Sequence, residues 1–291
     1  MSIYWQEPEI HLLRAFLSRI EDKSVIDVGA ERGAFAEQLL HAGGPVHAIE
    51  PEPGNVETLR KRFRGNALVS VHELAISDRD GPLALRKSVD AAGEPLSYGH
   101  TLLDRPDTDE IAWPETISVT GRSLGSLVSA GELPPRVGVL KVDTEGHDLQ
   151  AVSGMGSLEC DIVMVEHWTD LPRSLGRCPW TADEMISALG SRGFSHFVFV
   201  VHRGETALLR WDDADVPSGQ FGNLAFVHDR VVAQVWPVIV DCATACAELA
   251  IEHLELRLEE VEADREARLE VIQRQEAELT AFRQRRFGVT P

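Results

Sequence analysis

Carboxylates, histidines and glycines gather at a few turns of this chain, and each turn follows an apolar run. The first is Asp27-Val28-Gly29-Ala30-Glu31-Arg32-Gly33, entered through Val25 and Ile26; the second is Glu50-Pro51, entered through Val46-His47-Ala48-Ile49. Gly29 and Gly33 let the backbone turn sharply and approach a ligand at the N-terminus of the following helix. Glu50 falls about 20 positions after the first glycine, where a carboxylate can accept hydrogen bonds from both hydroxyls of a ribose. Strand, glycine turn, helix, strand and carboxylate make a nucleoside-binding βαβ half.

The turn also says which nucleoside. A dinucleotide site wants a third glycine and helix-terminal N–H groups facing a pyrophosphate. Here Asp27 and Glu31 place negative charge at the turn, which repels a pyrophosphate and attracts a cation. S-adenosylmethionine, with its sulfonium and ammonium, fits; a nucleotide-dependent oxidoreductase is a competing reading. Later runs end the same way. Val69 and Val71 lead to Ser77-Asp78, with Asp78 placed to accept from the exocyclic amine of adenine. Val137 to Val142 leads to Asp143-Thr144-Glu145-Gly146-His147-Asp148, and Asp161 to Val165 leads to Glu166-His167. In an open α/β sheet these strand ends converge on one crevice.

The segment from Val25 to Trp168, with Asp27 to Gly33, Glu50-Pro51-Glu52-Pro53, Ser77-Asp78 and Lys141 to Asp148, resembles the FkbM-family S-adenosylmethionine-dependent methyltransferases. The resemblance covers roughly residues 10 to 230 and leaves the C-terminal tail outside. It implies a Rossmann-like α/β fold with the seven-stranded sheet of class I methyltransferases. It also implies methylation of a hydroxyl oxygen, commonly of a sugar in a glycan, polysaccharide or natural product. The family usually carries an asparagine where this chain has Glu31. Cofactor contacts are expected from Asp27, Gly29, Ala30, Glu31, Gly33, Glu50, Pro51, Ser77, Asp78 and Asp143.

A hydroxyl oxygen must attack the sulfonium methyl in line, so both partners have to be held close and aligned. An alcohol does not ionise unaided at neutral pH, so a histidine or carboxylate should take its proton. Glu145 and His147 are the substrate-side candidates, and His100 lies in a polar insertion long enough to fold over the acceptor. Asp143, Glu145 and Glu166 also make a divalent metal conceivable. No metal site is assigned, because these ligands come from separate strands.

Composition narrows the partners. A net charge of -19 over 291 residues repels a phosphate backbone, so nucleic acid is not expected. Arg60, Lys61, Arg62 and Arg64 read as the solvated side of one helix. A neutral sugar suits the acidic field, whereas an anionic one needs a specific arginine such as Arg32, Arg122 or Arg173. No run is long enough to span a membrane, the N-terminus lacks a signal-peptide pattern, and the cysteines form no metal pattern. A cytoplasmic protein with reduced thiols is the expectation.

The positioning elements follow from periodicity. Helices are expected over residues 8–20, 54–63 and 181–191, the last with Thr181 and Glu184 as a capping box. Strands are expected over 195–201 and 221–227, which the family resemblance implies are the last antiparallel pair, while 88–120 and 169–180 read as loops that contact the acceptor. The chain divides into a methyltransferase domain, residues 1–236, and a helical tail, 237–291. In the tail Ala247, Ile251, Leu254, Leu258, Val261, Ile272, Leu279 and Phe282 fall on one heptad stripe, interrupted by Arg265, Arg268 and Gln275. This predicts a coiled coil that makes a homo-oligomer or binds a partner helix through residues 247–286; a lone amphipathic helix is the alternative. A scaffold that binds cofactor and assembles through its coil is the competing functional class.

Overall fold

The computed structural model describes residues 8–171, 173–203, 206–212 and 221–287. Its first half runs α1 (Pro8–Arg19), β1 (Val25–Val28), α2 (Ala34–Leu40), β2 (Val46–Glu50), α3 (Pro53–Arg62) and β3 (Val69–Glu73). A short β4 (Ala75–Ile76) and a long hairpin of β5 (Gly81–Asp90) and β6 (Ile111–Arg122) follow. The chain then continues through α4 (Leu124–Ser129), β7 (Arg136–Val142), α5 (Asp148–Ser153) and β8 (Glu159–Trp168). Two short strands, β9 (Asp170–Leu171) and β10 (Gly176–Arg177), precede α6 (Ala182–Gly190), β11 (His196–Arg203), β12 (Thr206–Trp211), β13 (Phe221–Val227) and α7 (Val232–Phe287).

The main sheet has the order β12-β11-β13-β8-β7-β1-β2-β3. Strands β3, β2, β1, β7 and β8 are parallel, and β13, β11 and β12 add to them antiparallel, each to its neighbour. The expected last pair is present as β11 and β13. The sheet has eight strands, not seven, because β12 adds to the outer edge of β11. Ala207, Leu208 and Leu209 break the apolar-polar alternation that marks a strand, so this edge element carries no clear signal.

Both faces of the sheet are covered, and the strand residues divide between them with period two. Ile26, Val28, Leu140, Val142, Val163 and Val165 pack in one cluster with Leu124, Val152 and Met185 of α4, α5 and α6. Val25, Val139, Ile162 and Met164 pack in the other, with Phe16 of α1, Leu39 of α2 and Val235 of α7. This is the near-continuous apolar strand that a doubly covered sheet demands. The helix ends match their sequence signals. Thr181 and Glu184 form the capping box of α6, and Glu52 caps α3 through the Asn55 N–H with Pro53 opening the helix. Arg60 and Lys61 of α3 pair with Glu73 and Glu57 in exposed ion pairs.

One expectation is corrected. Residues 88–120 are not simply a loop: β5 and β6 carry the intervening segment on a three-stranded sheet, β4-β6-β5. Leu83, Leu85, Ile117 and Val119 alternate along them and pack on Ala75, a period-two signal short enough to be overlooked. Within 169–180, β9 and β10 make a small antiparallel ladder. Cys160, Cys178, Cys242 and Cys246 are free thiols.

The chain separates into two compact units, Met1–Thr244 and Ala245–Pro291. The second is helical, and Ile251, Leu254, Leu258, Val261, Leu269 and Ile272 on it are exposed. Leu279 and Phe282 lie outside the side chains described. Among the described residues no helix is long and apolar enough to cross a membrane.

Candidate active site

A cavity of about 300 Å³ opens at the carboxyl ends of β1, β2, β7 and β8. Gly29 begins its floor. Its φ of 76° and the 1.8 Å at which a Cβ would meet the Asp143 carbonyl oxygen show why only glycine lets the β1 turn cross the end of β7. Gly33, with φ 83°, does not line the cavity; a Cβ there would lie 2.6 Å from the Phe63 ring, so it serves the packing of α2 on α3.

Glu50 lines the next stretch. Its Oε2 accepts the Glu31 N–H at 2.9 Å and its Oε1 accepts the Glu52 N–H at 2.9 Å. Burial pushes its carboxyl up to about 7, although both backbone donors favour the ionised form. Glu31 adopts a left-handed conformation, φ 50°, and its Oε1 accepts from Ser97 Oγ at 2.5 Å, tying the insertion after β5 to the β1 turn. Ala30 and Pro51 complete this side.

Lys141, on β7, has the role that sequence reasoning missed. Its Nζ lies 3.2 Å from Asp27 Oδ1 and 3.3 Å from Asp143 Oδ2, and 4.8 Å from the centre of the Phe35 ring. Burial opposes its charge, but Asp27 and Asp143 outweigh burial and raise its pKa. Asp27 is fully buried and does not line the cavity; its carboxylate holds Lys141, which in turn holds Asp143 at the wall. A lysine between Leu140 and Val142 in an apolar run was the available signal, since a buried charge needs a partner.

Glu145 sits in the turn after β7, again left-handed at φ 55°. Its Oε1 accepts the Gly99 N–H at 2.9 Å, while its Oε2 is buried without a hydrogen bond. Arg105 donates to the Glu145 carbonyl oxygen and to Thr101 Oγ1, and Trp113 Nε1 donates to the Gly99 carbonyl at 2.7 Å. The insertion is thereby fixed as a wall over Glu145, with Ser97, Tyr98, His100 and Leu102 facing the cavity. Glu166 at the end of β8 lines it too, with Oε2 unpaired. Burial, then the nearby Asp143 charge, pushes Glu145 up to about 7 and raises Glu166 well above the usual carboxylate value.

His100 Nδ1 accepts the Ser88 N–H at 3.0 Å, so the neutral ring carries its proton on Nε2. Burial lowers its pKa, and Glu52 only partly opposes this. His100 is therefore a hydrogen-bond donor to the cavity rather than a ready base. His147 stands apart from the lining. Its Nε2 lies 3.0 Å from Ser77 Oγ, which also donates to Asp78 Oδ1, and none of the three residues faces the cavity. Leu74, Ala75 and Ile76 occupy the wall where Ser77 and Asp78 were expected. Asp148 accepts from Thr144 Oγ1 and the Gly146 N–H, bracing the turn. At the far end the lining includes Glu9, His202, Phe221 and Asn223, none of which carries a local motif. Among the described residues no group of three His, Cys, Asp or Glu side chains is placed to hold a metal ion.

The methyltransferase FkbM domain family matches residues 27–195, more than half of the chain. The hexuronic acid methyltransferase AglP of Haloferax volcanii is 26% identical over 150 residues, covering 50% of this chain and 56% of the relative, so the chain spans little more than half of that relative's length. Among solved structures, the 1,6-didemethyltoxoflavin-N1-methyltransferase of Burkholderia thailandensis is 15% identical, with 77% of this chain and 78% of that one covered at a TM-score of 0.41. Magnesium protoporphyrin IX methyltransferase from Synechocystis is 12% identical, with 76% and 78% covered at 0.37. These two scores are too low to bear on function. From its domain match over residues 27–195, the chain belongs to the FkbM methyltransferase-domain family.

Proposed function

We propose that the chain is an S-adenosylmethionine-dependent O-methyltransferase acting on a sugar hydroxyl. The observation that carries this reading is the pairing, in one cavity, of a carboxylate held by two backbone N–H groups, Glu50, with a buried carboxylate oxygen that has no partner, Glu145 Oε2. The cofactor fits the donor set. Glu50 keeps lone pairs for a ribose diol, and Glu31 and Asp143 supply negative charge for an ammonium. Once bound, the cofactor supplies an electrophilic methyl group on a sulfonium.

The chain's own residues do the rest. Glu145 Oε2 takes the hydroxyl proton, and a pKa near 7 suits a general base at neutral pH. Glu166, whose pKa burial raises, lines the same cavity and can hydrogen-bond the acceptor. His100 Nε2–H donates from the insertion and orients the acceptor oxygen. The insertion, pinned by Arg105 and Trp113, limits water around the reacting atoms. The hexuronic acid in the name of the Haloferax relative supports a sugar acceptor. Incubating the full chain with radiolabelled S-adenosylmethionine and a set of sugars tests this; label in a base-stable ether supports it, and label in none removes it.

The tail reading belongs to the same proposal. The exposed stripe from Ile251 to Ile272, flanked by interleaved glutamates and arginines, supports self-association as a coiled coil. Light scattering of the full chain and of a chain ending at Thr244 should show an oligomer and a monomer. The free thiols at Cys160 and Cys178 support a reducing, cytoplasmic setting.

A further inference from the structure

Two buried carboxylate oxygens of residues lining the cavity, Glu145 Oε2 and Glu166 Oε2, have no hydrogen-bond partner. Buried polar groups left unmade are rare in native proteins and call for an explanation. Further along the lining, Glu9 Oε2 and His202 Nε2 face each other 3.2 Å apart. Strand order places them in one line. Glu166 lies opposite Asn223 on β13, and Asn223 opposite Val200 on β11, two residues before His202. The Phe221 ring stacks on His202, centroids 4.7 Å apart and 4° from parallel, and remains 41% exposed.

Unpaired carboxylate oxygens, a Glu–His pair and a partly open aromatic ring suit a ligand whose hydroxyls both donate and accept and whose C–H face is apolar. Charge narrows the ligand further. Among the described residues lining the cavity, six are carboxylates, Glu9, Glu31, Glu50, Asp143, Glu145 and Glu166, and Lys141 is the one lysine or arginine. Lys141 is already held by Asp27 and Asp143. Arg122 is engaged by Asp80 and Glu132, and Arg173 by Glu110, away from the cavity. Arg32 acts on His100 but does not line the cavity, so an added carboxylate on the ligand would be desolvated beside the lining carboxylic groups with no free lysine or arginine among the described lining residues to meet it.

We propose that Glu9, His202, Phe221 and Asn223 form the acceptor subsite, and that it takes an uncharged sugar ring and rejects a uronic acid. The proposal rests on the sugar-hydroxyl reading above. It sets this chain apart from its relative, whose name specifies a hexuronic acid.

Saturation-transfer NMR on the full chain with S-adenosylhomocysteine present tests it, using the methyl glycosides of glucose, mannose and galactose and the matching uronides. At least one neutral glycoside should bind about tenfold or more tightly than its uronide, a difference of about 1.4 kcal/mol. Phe221→Ala should weaken that glycoside about tenfold, on the scale of a lost aromatic contact. Glu9→Gln should narrow the gap to the uronide about fivefold, the order of one charge removed from a partly wet site. Both variants should bind S-adenosylhomocysteine as the parent does, which shows them folded. A uronide that binds as well as or better than its neutral partner overturns the proposal; if it also receives label in a base-stable ether the sugar-hydroxyl reading survives, whereas label in a base-labile ester overturns that reading too. Neutral binding unchanged in Phe221→Ala, with a gap unchanged in Glu9→Gln, overturns the subsite. No binding and no labelling of any glycoside overturns both.

Discussion

The two ends of the cavity are built on opposite terms. At the Glu50 end the carboxylate oxygens are already engaged by backbone N–H groups from Glu31 and Glu52. At the Glu145 end, Glu145 Oε2 and Glu166 Oε2 are buried and unpaired. The first end is complete without a ligand; the second is completed only by one. That division suits an enzyme that takes up the same nucleoside cosubstrate in every turnover and must orient its acceptor, because preorganisation helps where the ligand's identity is fixed and open valences help where a hydroxyl must be oriented.

The largest effect that sharpens the contrast is at the reacting end. Glu145→Gln should lower kcat by about 10²–10⁴ while leaving S-adenosylhomocysteine affinity unchanged, the usual scale for a lost general base; steady-state kinetics with calorimetry separate the two. Lys141→Met should destabilise the fold by about 3–5 kcal/mol, because it strands the fully buried Asp27 without its partner. Urea denaturation reads this directly, and an unchanged midpoint would break the Asp27–Lys141–Asp143 assignment. Glu50→Ala should weaken cofactor binding about tenfold to a hundredfold by removing the acceptor of two ribose hydroxyls.

A pH series tests both ends together. Glu50 and Glu145 are pushed up to about 7 and Asp148 to about 8, chiefly by burial. The folded state then binds more protons than the unfolded chain, so these groups make stability fall as pH rises from about 4.5 to about 8. Activity runs the opposite way below neutrality, because Glu145 must be ionised to accept a proton, so kcat should rise through about pH 7. Glu145→Gln should flatten that limb. Thermal melts and rate profiles on one buffer series would show the two trends crossing. The smallest expected effect is at His147, which lies against Ser77 outside the cavity. His147→Ala should leave turnover nearly unchanged and cost about 1 kcal/mol of stability, the worth of one hydrogen bond.

Legibility in sequence followed the same division. The Glu50 end was readable because its parts lie within one βαβ unit, where strand, Gly29 and carboxylate recur at a spacing fixed by covalent geometry. Glu31, Asp143 and Glu145 were readable as strand-end acids, and all face the cavity. Asp27 and Gly33 were singled out, but they act beneath the wall, through Lys141 and through α3. That distinction depends on which way a side chain points from a buried strand, and residue type does not carry it. Glu9, His202 and Phe221 were invisible because α1, β11 and β13 meet only after the sheet has ordered its strands. The extra edge strand β12 was hidden for a related reason, since its pairing with β11 needs only one side of its backbone and leaves no strict alternation.

The central claim is that the β1 and β2 ends form a seat for a cationic nucleoside and not for a dinucleotide. Calorimetric titration of the full chain with S-adenosylhomocysteine, against NAD and NADP, tests it most directly. Micromolar binding of S-adenosylhomocysteine alone is the predicted result; no binding, or equal or tighter binding of either dinucleotide, would contradict it.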